Sequence, residues 1–73
     1  MKALITTRTE TSITTSEMIL RGKPQTQNQK IAEEVERRIN KELYAGRKPY
    51  EVEVMILNNN RVVNKWIYKP TIR

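Results

Sequence analysis

Residues 51–68 read EVEVMILNNNRVVNKWIY, and this stretch decides the fold class of the chain. Val52, Val54 and Ile56 alternate with glutamate and methionine, which is the pattern of a strand with one buried face. The asparagines at 58–60 tolerate the left-handed backbone conformation that a tight turn needs. A second strand should follow this turn, so the stretch predicts a β-hairpin.

A three-residue turn through the asparagines predicts a definite pairing of the two strands. It places Ile56 opposite Val62 and Val52 opposite Trp66 on the buried face. On the other face it places Glu53 opposite Lys65, which is a favourable cross-strand charge pair. Shifting the register by one residue loses both matches, because neighbouring residues of a strand point to opposite faces.

The segment before the hairpin predicts an amphipathic helix over residues 27–45. Thr26 and Gln29 match the two positions of a capping box, and Gly46 lies where a left-handed cap would end the helix. An apolar stripe at helical spacing comprises Ile31, Ala32, Val35, Ile39 and Leu43. Ion pairs at i, i+4 are expected for Glu33–Arg37 and Glu34–Arg38.

The first segment, residues 2–21, is strand-like and too long for one ordinary strand. We therefore expect a bend between Thr9 and Ser12, which would bring Ile5 near Ile19. No Gly, Pro or Asn marks this bend, so the register stays open.

Two further interpretations concern residues 6–21 of this segment. The run TTRTETSITTS at 6–16 is expected to form the solvent-exposed tips of two strands and their turn at a sheet edge, because threonine is a good strand former. It has no proline, which a mucin-like stalk would contain. The alternative for its end is a short helical turn over 16–21, capped by Ser16 and ended by Gly22.

Together these segments predict one α+β domain over residues 1–73 with the element order β(β)αββ. A strand or hairpin at 2–21, a helix at 27–45 and a hairpin at 50–69 would place one amphipathic helix on one face of a small, mainly antiparallel sheet. The predicted core comprises Leu4, Ile5, Ile19, Ile31, Val35, Ile39, Leu43, Val52, Val54, Ile56, Val62 and Trp66.

Composition argues against several classes of function. The chain has no histidine, cysteine or aspartate, and so lacks the usual general base, thiolate nucleophile and transition-metal ligands. We therefore expect neither enzymatic activity nor a cofactor or metal site. The longest apolar runs, at 18–20 and 55–57, are far shorter than the roughly 20 residues of a membrane-spanning helix, so a cytoplasmic protein is expected.

The net charge of +6 favours an anionic partner, either nucleic acid or an acidic protein surface. The basic residues concentrate outside the predicted helix, on the strands and loops. Binding would be led by phosphate contacts, sensitive to salt and weakly selective for sequence, since aromatic stacking residues are lacking on the exposed strand positions. The candidate nucleic-acid-binding residues are Arg8, Arg21, Lys23, Arg47, Lys48, Arg61, Lys65 and Lys69.

The competing hypothesis is a protein-interaction module that uses the sheet face without the helix. By alternation, Met55, Leu57, Val63 and Ile67 share this face with basic residues, and an apolar patch rimmed by charge is typical of an interface. Such a chain would act as a homodimer, an inhibitor or an adaptor. Its size, basicity and lack of catalytic residues are also typical of small accessory proteins of phages and mobile elements.

Overall fold

The structure is a computed structural model that describes residues 1–70 and contains four strands and one helix. The elements are β1 (Lys2–Thr9), β2 (Ile13–Ile19), α1 (Pro24–Tyr44), β3 (Pro49–Asn58) and β4 (Arg61–Tyr68). All neighbouring strands pair antiparallel in one sheet of order β2-β1-β3-β4. The predicted α+β class and element order are confirmed, and the last three residues of the predicted domain lie outside the described range.

Helix α1 crosses from the end of β2 to the start of β3, and β1 lies between these two strands. The helix contacts the central strands β1 and β3, which leaves β2 and β4 as the edges. The buried core under it comprises Ala3, Ile5, Leu20, Ile31, Val35, Val52, Val54 and Ile56. Met18, Ile39 and Trp66 pack against the margin of this core.

Four residues predicted for the core lie elsewhere. Leu4 is half-buried on the opposite sheet face, because the β1 residues under the helix are Ala3, Ile5, Thr7 and Thr9. Ile19, Leu43 and Val62 are 63%, 39% and 54% exposed. Ile19 pairs with Lys2 and so shares the face of Leu4, while Leu20 takes the buried position next to it.

Helix α1 begins earlier than the sequence pattern predicts. Lys23 occupies the N-cap with an extended backbone and makes no side-chain capping bond, and Pro24 opens the first turn. Proline suits this position because its missing N–H would have no partner there and its φ is already helical. Thr26 therefore lies inside the first turn, and the predicted capping box is wrong.

The end of α1 follows the prediction. Gly46 has φ of +79°, and its N–H donates to the Leu43 carbonyl at 3.0 Å. The Arg47 N–H donates to the Glu42 carbonyl at 2.9 Å, which completes a Schellman motif.

One of the two predicted helical ion pairs forms as expected. Arg38 Nε donates to Glu34 Oε1 at 2.8 Å. Arg37 Nη1 lies 3.4 Å from Glu34 Oε2, so this arginine contacts Glu34 in place of the predicted Glu33.

The second hairpin has a two-residue turn, so the predicted three-residue loop is wrong. Asn59 and Asn60 have φ of 51° and 64°, and Asn58 pairs with Arg61. Two consecutive left-handed residues match the twist of the flanking strands better than a longer loop does, and asparagine tolerates them. The pairing then shifts between Ile56 and Leu57, where β4 carries one extra residue.

This bulge decides which sheet face the β4 side chains beyond it join. Leu57 pairs with Val62 and Ile56 pairs with Asn64, so Val63 is the extra residue. Beyond the bulge Trp66 pairs with Val54, which places it on the helix side as predicted, although not opposite the predicted residue.

The first hairpin turns at the predicted place but with a different register. The Thr9 N–H donates to the Ser12 carbonyl at 2.8 Å, which closes the bend. Ile5 pairs with Ser16, so the predicted approach of Ile5 to Ile19 is wrong. Strand β2 continues to Ile19, which excludes the alternative helical turn there.

The threonine-rich run is only partly an exposed edge. Its second half lies in edge strand β2, as predicted. Its first half lies in central strand β1, where Thr7 and Thr9 are 1% and 5% exposed under the helix, so the prediction of solvent exposure is wrong for them.

Candidate interaction face

We call the sheet surface opposite α1 the open face. Strand pairing and alternation define its members. They are Ile13, Thr15, Glu17 and Ile19 of β2; Lys2, Leu4, Thr6 and Arg8 of β1; Glu51, Glu53, Met55 and Leu57 of β3; and Val62, Lys65 and Ile67 of β4. No element of the described chain covers this surface, because the one helix of residues 1–70 packs on the other side.

An apolar cluster occupies much of the open face. Ile19, Val62 and Ile67 are 63%, 54% and 47% exposed. Between them lie the half-buried side chains of Leu4, Met55 and Leu57. Most of these residues lie toward the end of the sheet that carries the β3–β4 turn. Contiguous exposed apolar side chains of this kind mark interaction surfaces on small proteins.

The charged side chains of the open face are paired with one another. Arg8 Nε lies 2.9 Å from Glu51 Oε2, and the other two contacts, Lys2–Glu17 and Lys65–Glu53, are each 3.8 Å. The Lys65–Glu53 pair is diagonal, because Ile67 is the residue directly opposite Glu53. The predicted charge pair therefore forms although its predicted register does not. Three cations match three glutamates, so the open face carries no net charge in its described strands.

The predicted interaction residues are brought together with one exception. Met55, Leu57 and Ile67 lie on the open face. Val63 does not, because the two-residue turn sets the preceding Val62 opposite Leu57 and so leaves Val63 on the helix side, where it lines a small cavity with Leu20 and Ile31. Val62 takes its place on the open face opposite Leu57.

The eight predicted nucleic-acid-binding residues do not form one surface. Arg8 and Lys65 lie on the open face, each beside a glutamate. The remaining six divide between the two ends of the molecule, which is 35 Å long. Arg21, Lys23 and Arg61 lie at the end where α1 begins, and Arg47, Lys48 and Lys69 lie at the end where α1 stops.

Arg47 has a structural role at its end. Its guanidinium Nε donates to Oε2 of Glu42, a residue only 4% exposed. A buried carboxylate without a cation would be strongly unfavourable, so this arginine is occupied by the fold.

We call Arg21, Lys23 and Arg61 the basic end. All three are exposed, and none has a carboxylate within 4.0 Å in the described part of the chain. The segments 20–23 and 58–61, which contain them, include no acidic residue. The basic end is therefore a local excess of positive charge.

A broad depression of about 670 Å³ lies on the solvent-exposed side of α1 and is mostly open to solvent; it is lined by Glu33, Glu36, Arg37, Asn40, Lys41 and Tyr44. No group of three or more potential metal-ligating side chains occurs within residues 1–70. Over the same range, no helix has the length and apolarity needed to cross a membrane.

Comparisons with known proteins identify no relative of this chain. Neither a protein-family model, nor a curated protein, nor a solved structure matches this chain.

Sequence reasoning missed Leu4, Ile19 and Val62 as members of the open face. Leu4 and Ile5 are adjacent apolar residues, so alternation alone does not tell which of them is buried. The signal that was present is the parity of Ala3, Ile5, Thr7 and Thr9, four small or β-branched residues on one face. Val62 depends on the β3–β4 turn having two residues, and the run of three asparagines does not distinguish this turn from a three-residue one.

Proposed function

We propose that this chain is a non-catalytic protein-interaction module that binds its partner through the open face. The observation that carries the proposal is the exposed apolar cluster set among charges that already neutralise one another. A phosphate backbone is attracted by unpaired cations, and this face offers none in its described strands. An apolar protein surface gains by covering the cluster, since complete burial of one Val or Ile side chain contributes about 1.5–3 kcal/mol.

The shape of the surface suits a protein partner. A four-stranded sheet face is broad and lacks the enclosed form of a small-molecule pocket. Its mixture of an apolar centre and charged neighbours resembles the core and rim of protein interfaces. The partner should present a similarly broad surface with apolar side chains and charges of both signs.

The test compares three tagged forms of the chain as bait in extracts of the native host. The wild type, Ile67→Glu and Tyr44→Glu are used, and retained proteins, including untagged copies of the chain, are quantified by mass spectrometry. Ile67 is 47% exposed on the open face and Tyr44 is 94% exposed on α1, so both changes add one negative charge at an exposed site. We expect the Ile67→Glu bait to retain at least tenfold less of the partner protein than the wild-type bait does. The Tyr44→Glu bait should retain as much as the wild type.

Circular dichroism establishes that both variants are folded. Equal retention by the wild type and Ile67→Glu would contradict the proposal, because a buried glutamate in an apolar interface is strongly unfavourable.

Nucleic-acid binding is a second candidate, and the basic end supports it. Three exposed cations without nearby carboxylates lie at one end of the molecule, where they would attract phosphate groups. We expect the chain to bind a duplex-DNA column at about 50 mM salt and to elute as the salt concentration rises.

The control for this second candidate changes the net charge by the same amount as the test variant. The triple variant Arg21→Glu, Lys23→Glu, Arg61→Glu should lose retention. A matched triple, Lys30→Glu, Lys41→Glu, Lys48→Glu, carries the same change of charge on other exposed sites and should retain most of it. Equal loss from both triples, or no retention of the wild type, counts against binding at the basic end.

A further inference from the structure

We propose that the partner of the open face is a second copy of this chain, related by a two-fold axis parallel to the strands and centred between β1 and β3. This inference rests on the proposed function and specifies its partner. The axis would lie between the two stacked sheets. Sheets stacked face to face keep their strand directions within about 30° of one another and lie about 10 Å apart, so this arrangement is a standard one.

The axis determines which residues meet. Rotation about it places β1 over the partner's β3 and β2 over the partner's β4, while each residue keeps its level along the strands. A two-fold interface uses the same patch on both subunits, so that patch must be complementary to itself. The open face can be checked for this property residue by residue.

The charges of the open face satisfy this requirement. Glu17, Leu4, Met55 and Lys65 lie in one row across the sheet, because each pairs with the next. The rotation therefore sets Glu17 of one subunit opposite Lys65 of the partner subunit. In another row Arg8 pairs with Glu51, and the rotation sets Arg8 opposite the partner's Glu51. Opposite charges meet at both levels, on both sides of the axis.

Most of the apolar residues meet in the same rotation, whereas Ile67 faces the partner's Thr15, because Thr15, Thr6, Glu53 and Ile67 form one row. Leu4 lies opposite the partner's Met55 near the axis. In the next row Ile19 pairs with Lys2, Lys2 with Leu57 and Leu57 with Val62. Ile19 therefore faces the partner's Val62, and the aliphatic stem of Lys2 covers the partner's Leu57 while its ammonium group reaches solvent.

A two-fold axis across the strands fails the same check. Centred on the middle of the face, it would set Met55 against the partner's Glu53 and Lys2 against the partner's Arg8. The first contact buries a charge on an apolar side chain, and the second brings like charges together. The distribution of residues therefore selects the axis parallel to the strands.

The size of the open face is close to that expected of a specific dimer interface. Four strands spaced about 4.8 Å apart and about 25 Å long present a projected area of roughly 475 Å². Two such faces bury about 950 Å² before side-chain relief is counted, which approaches the roughly 1,000 Å² expected of a biological interface.

The test is a charge exchange measured by sedimentation equilibrium. Glu17 and Lys65 lie on the two outer strands, so about 14 Å of sheet separates them within one chain. Each single variant, Glu17→Lys or Lys65→Glu, should raise the dimer Kd at least tenfold, because each places like charges together at two symmetric positions. The double variant Glu17→Lys, Lys65→Glu should return the Kd to within about threefold of the wild type.

This recovery would be specific to contact between subunits. Within each chain the double variant still breaks the Lys2–Glu17 and Lys65–Glu53 pairs, so restored intrachain contacts cannot cause it. If both single variants raise the dimer Kd and the double variant does not lower it again, the proposed axis is overturned. A wild type that stays monomeric at about 1 mM would overturn the homodimer.

The same measurements distinguish a failure of the homodimer from a failure of the proposed function. If the wild type is monomeric and Ile67→Glu still loses a host protein, the open face binds a different partner and only the homodimer is overturned. If a dimer forms that Ile67→Glu, Glu17→Lys and Lys65→Glu all leave unchanged, it uses another surface and the homodimer through the open face is overturned. The bait comparison then decides the proposed function, because equal retention by the wild type and Ile67→Glu would overturn that as well.

Discussion

Two buried threonines in β1 differ in the hydrogen bonding of their hydroxyl groups. Thr7 and Thr9 both point under α1 and are nearly inaccessible to solvent. The Thr9 hydroxyl oxygen accepts the Ser12 N–H at 2.9 Å and lies 2.8 Å from Ser12 Oγ, which holds the β1–β2 turn together. The Thr7 hydroxyl has no hydrogen-bond partner in the described residues.

Replacing each threonine by valine should therefore change stability in opposite directions. Thr9→Val removes the turn contacts and leaves the Ser12 N–H unsatisfied, which should lower the free energy of unfolding by about 1–2 kcal/mol. Thr7→Val replaces an unpaired buried hydroxyl by a methyl group of the same shape and should raise it by up to about 1 kcal/mol. Urea denaturation measures the free energy of unfolding of both variants. An equal decrease in the two variants would contradict the assigned contacts.

At the scale of elements, the start of α1 makes a second prediction. Lys23 occupies the N-cap without a side-chain bond, and Thr26 lies within the first turn. Lys23→Ser should raise the free energy of unfolding by about 1 kcal/mol relative to Lys23→Ala, because a serine oxygen accepts a first-turn N–H. Thr26→Ala should change it by less than about 0.5 kcal/mol. If Thr26 formed a capping box, Thr26→Ala would have the larger effect and the Lys23 substitutions the smaller one. Chemical denaturation measures the free energy of unfolding of each variant and so distinguishes the two helix starts.

At the scale of the whole molecule, dimerisation should couple stability to concentration. A partner that binds only the folded chain stabilises it by mass action, so the Tm of the wild type should rise between about 10 µM and 1 mM. Glu17→Lys should show little rise over the same range, and the double variant with Lys65→Glu should regain it. A constant Tm in all three proteins would contradict a dimer. Differential scanning calorimetry at several concentrations makes this measurement.

The proposed dimer also affects the basic end. An axis parallel to the strands leaves both subunits pointing the same way, so the two copies of Arg21, Lys23 and Arg61 would lie on one side of the assembly. Protein association and nucleic-acid binding would then be compatible, because they use different surfaces of the chain.

Much of the fold could be predicted because its signals are local. Alternation in β3, the helical spacing from Ile31 to Ile39, and Gly46 at the helix end each depend on neighbours within a few residues. The start of α1 could not be predicted as well. Thr26 and Gln29 satisfy a capping pattern locally, while Pro24 and the preceding extended Lys23 set the observed start.

The candidate site was less predictable than the fold. Met55, Leu57 and Ile67 could be placed on the open face from alternation. Val62 could not, because the two-residue turn sets it opposite Leu57, whereas the predicted three-residue loop would set it opposite Ile56. The adjacent Leu4 and Ile5 left the face of β1 ambiguous until β1 was paired on both sides.

By itself the sequence determined the elements, their order and the positive net charge, because these follow from composition and from spacing along the chain. Only the tertiary structure decided which side chains share the open face and which cations are neutralised there. Arg8 meets Glu51 and Lys2 meets Glu17 because β1 lies between two strands that are distant in sequence. Charge along the chain is therefore a sum, whereas charge on a surface depends on which strands become neighbours.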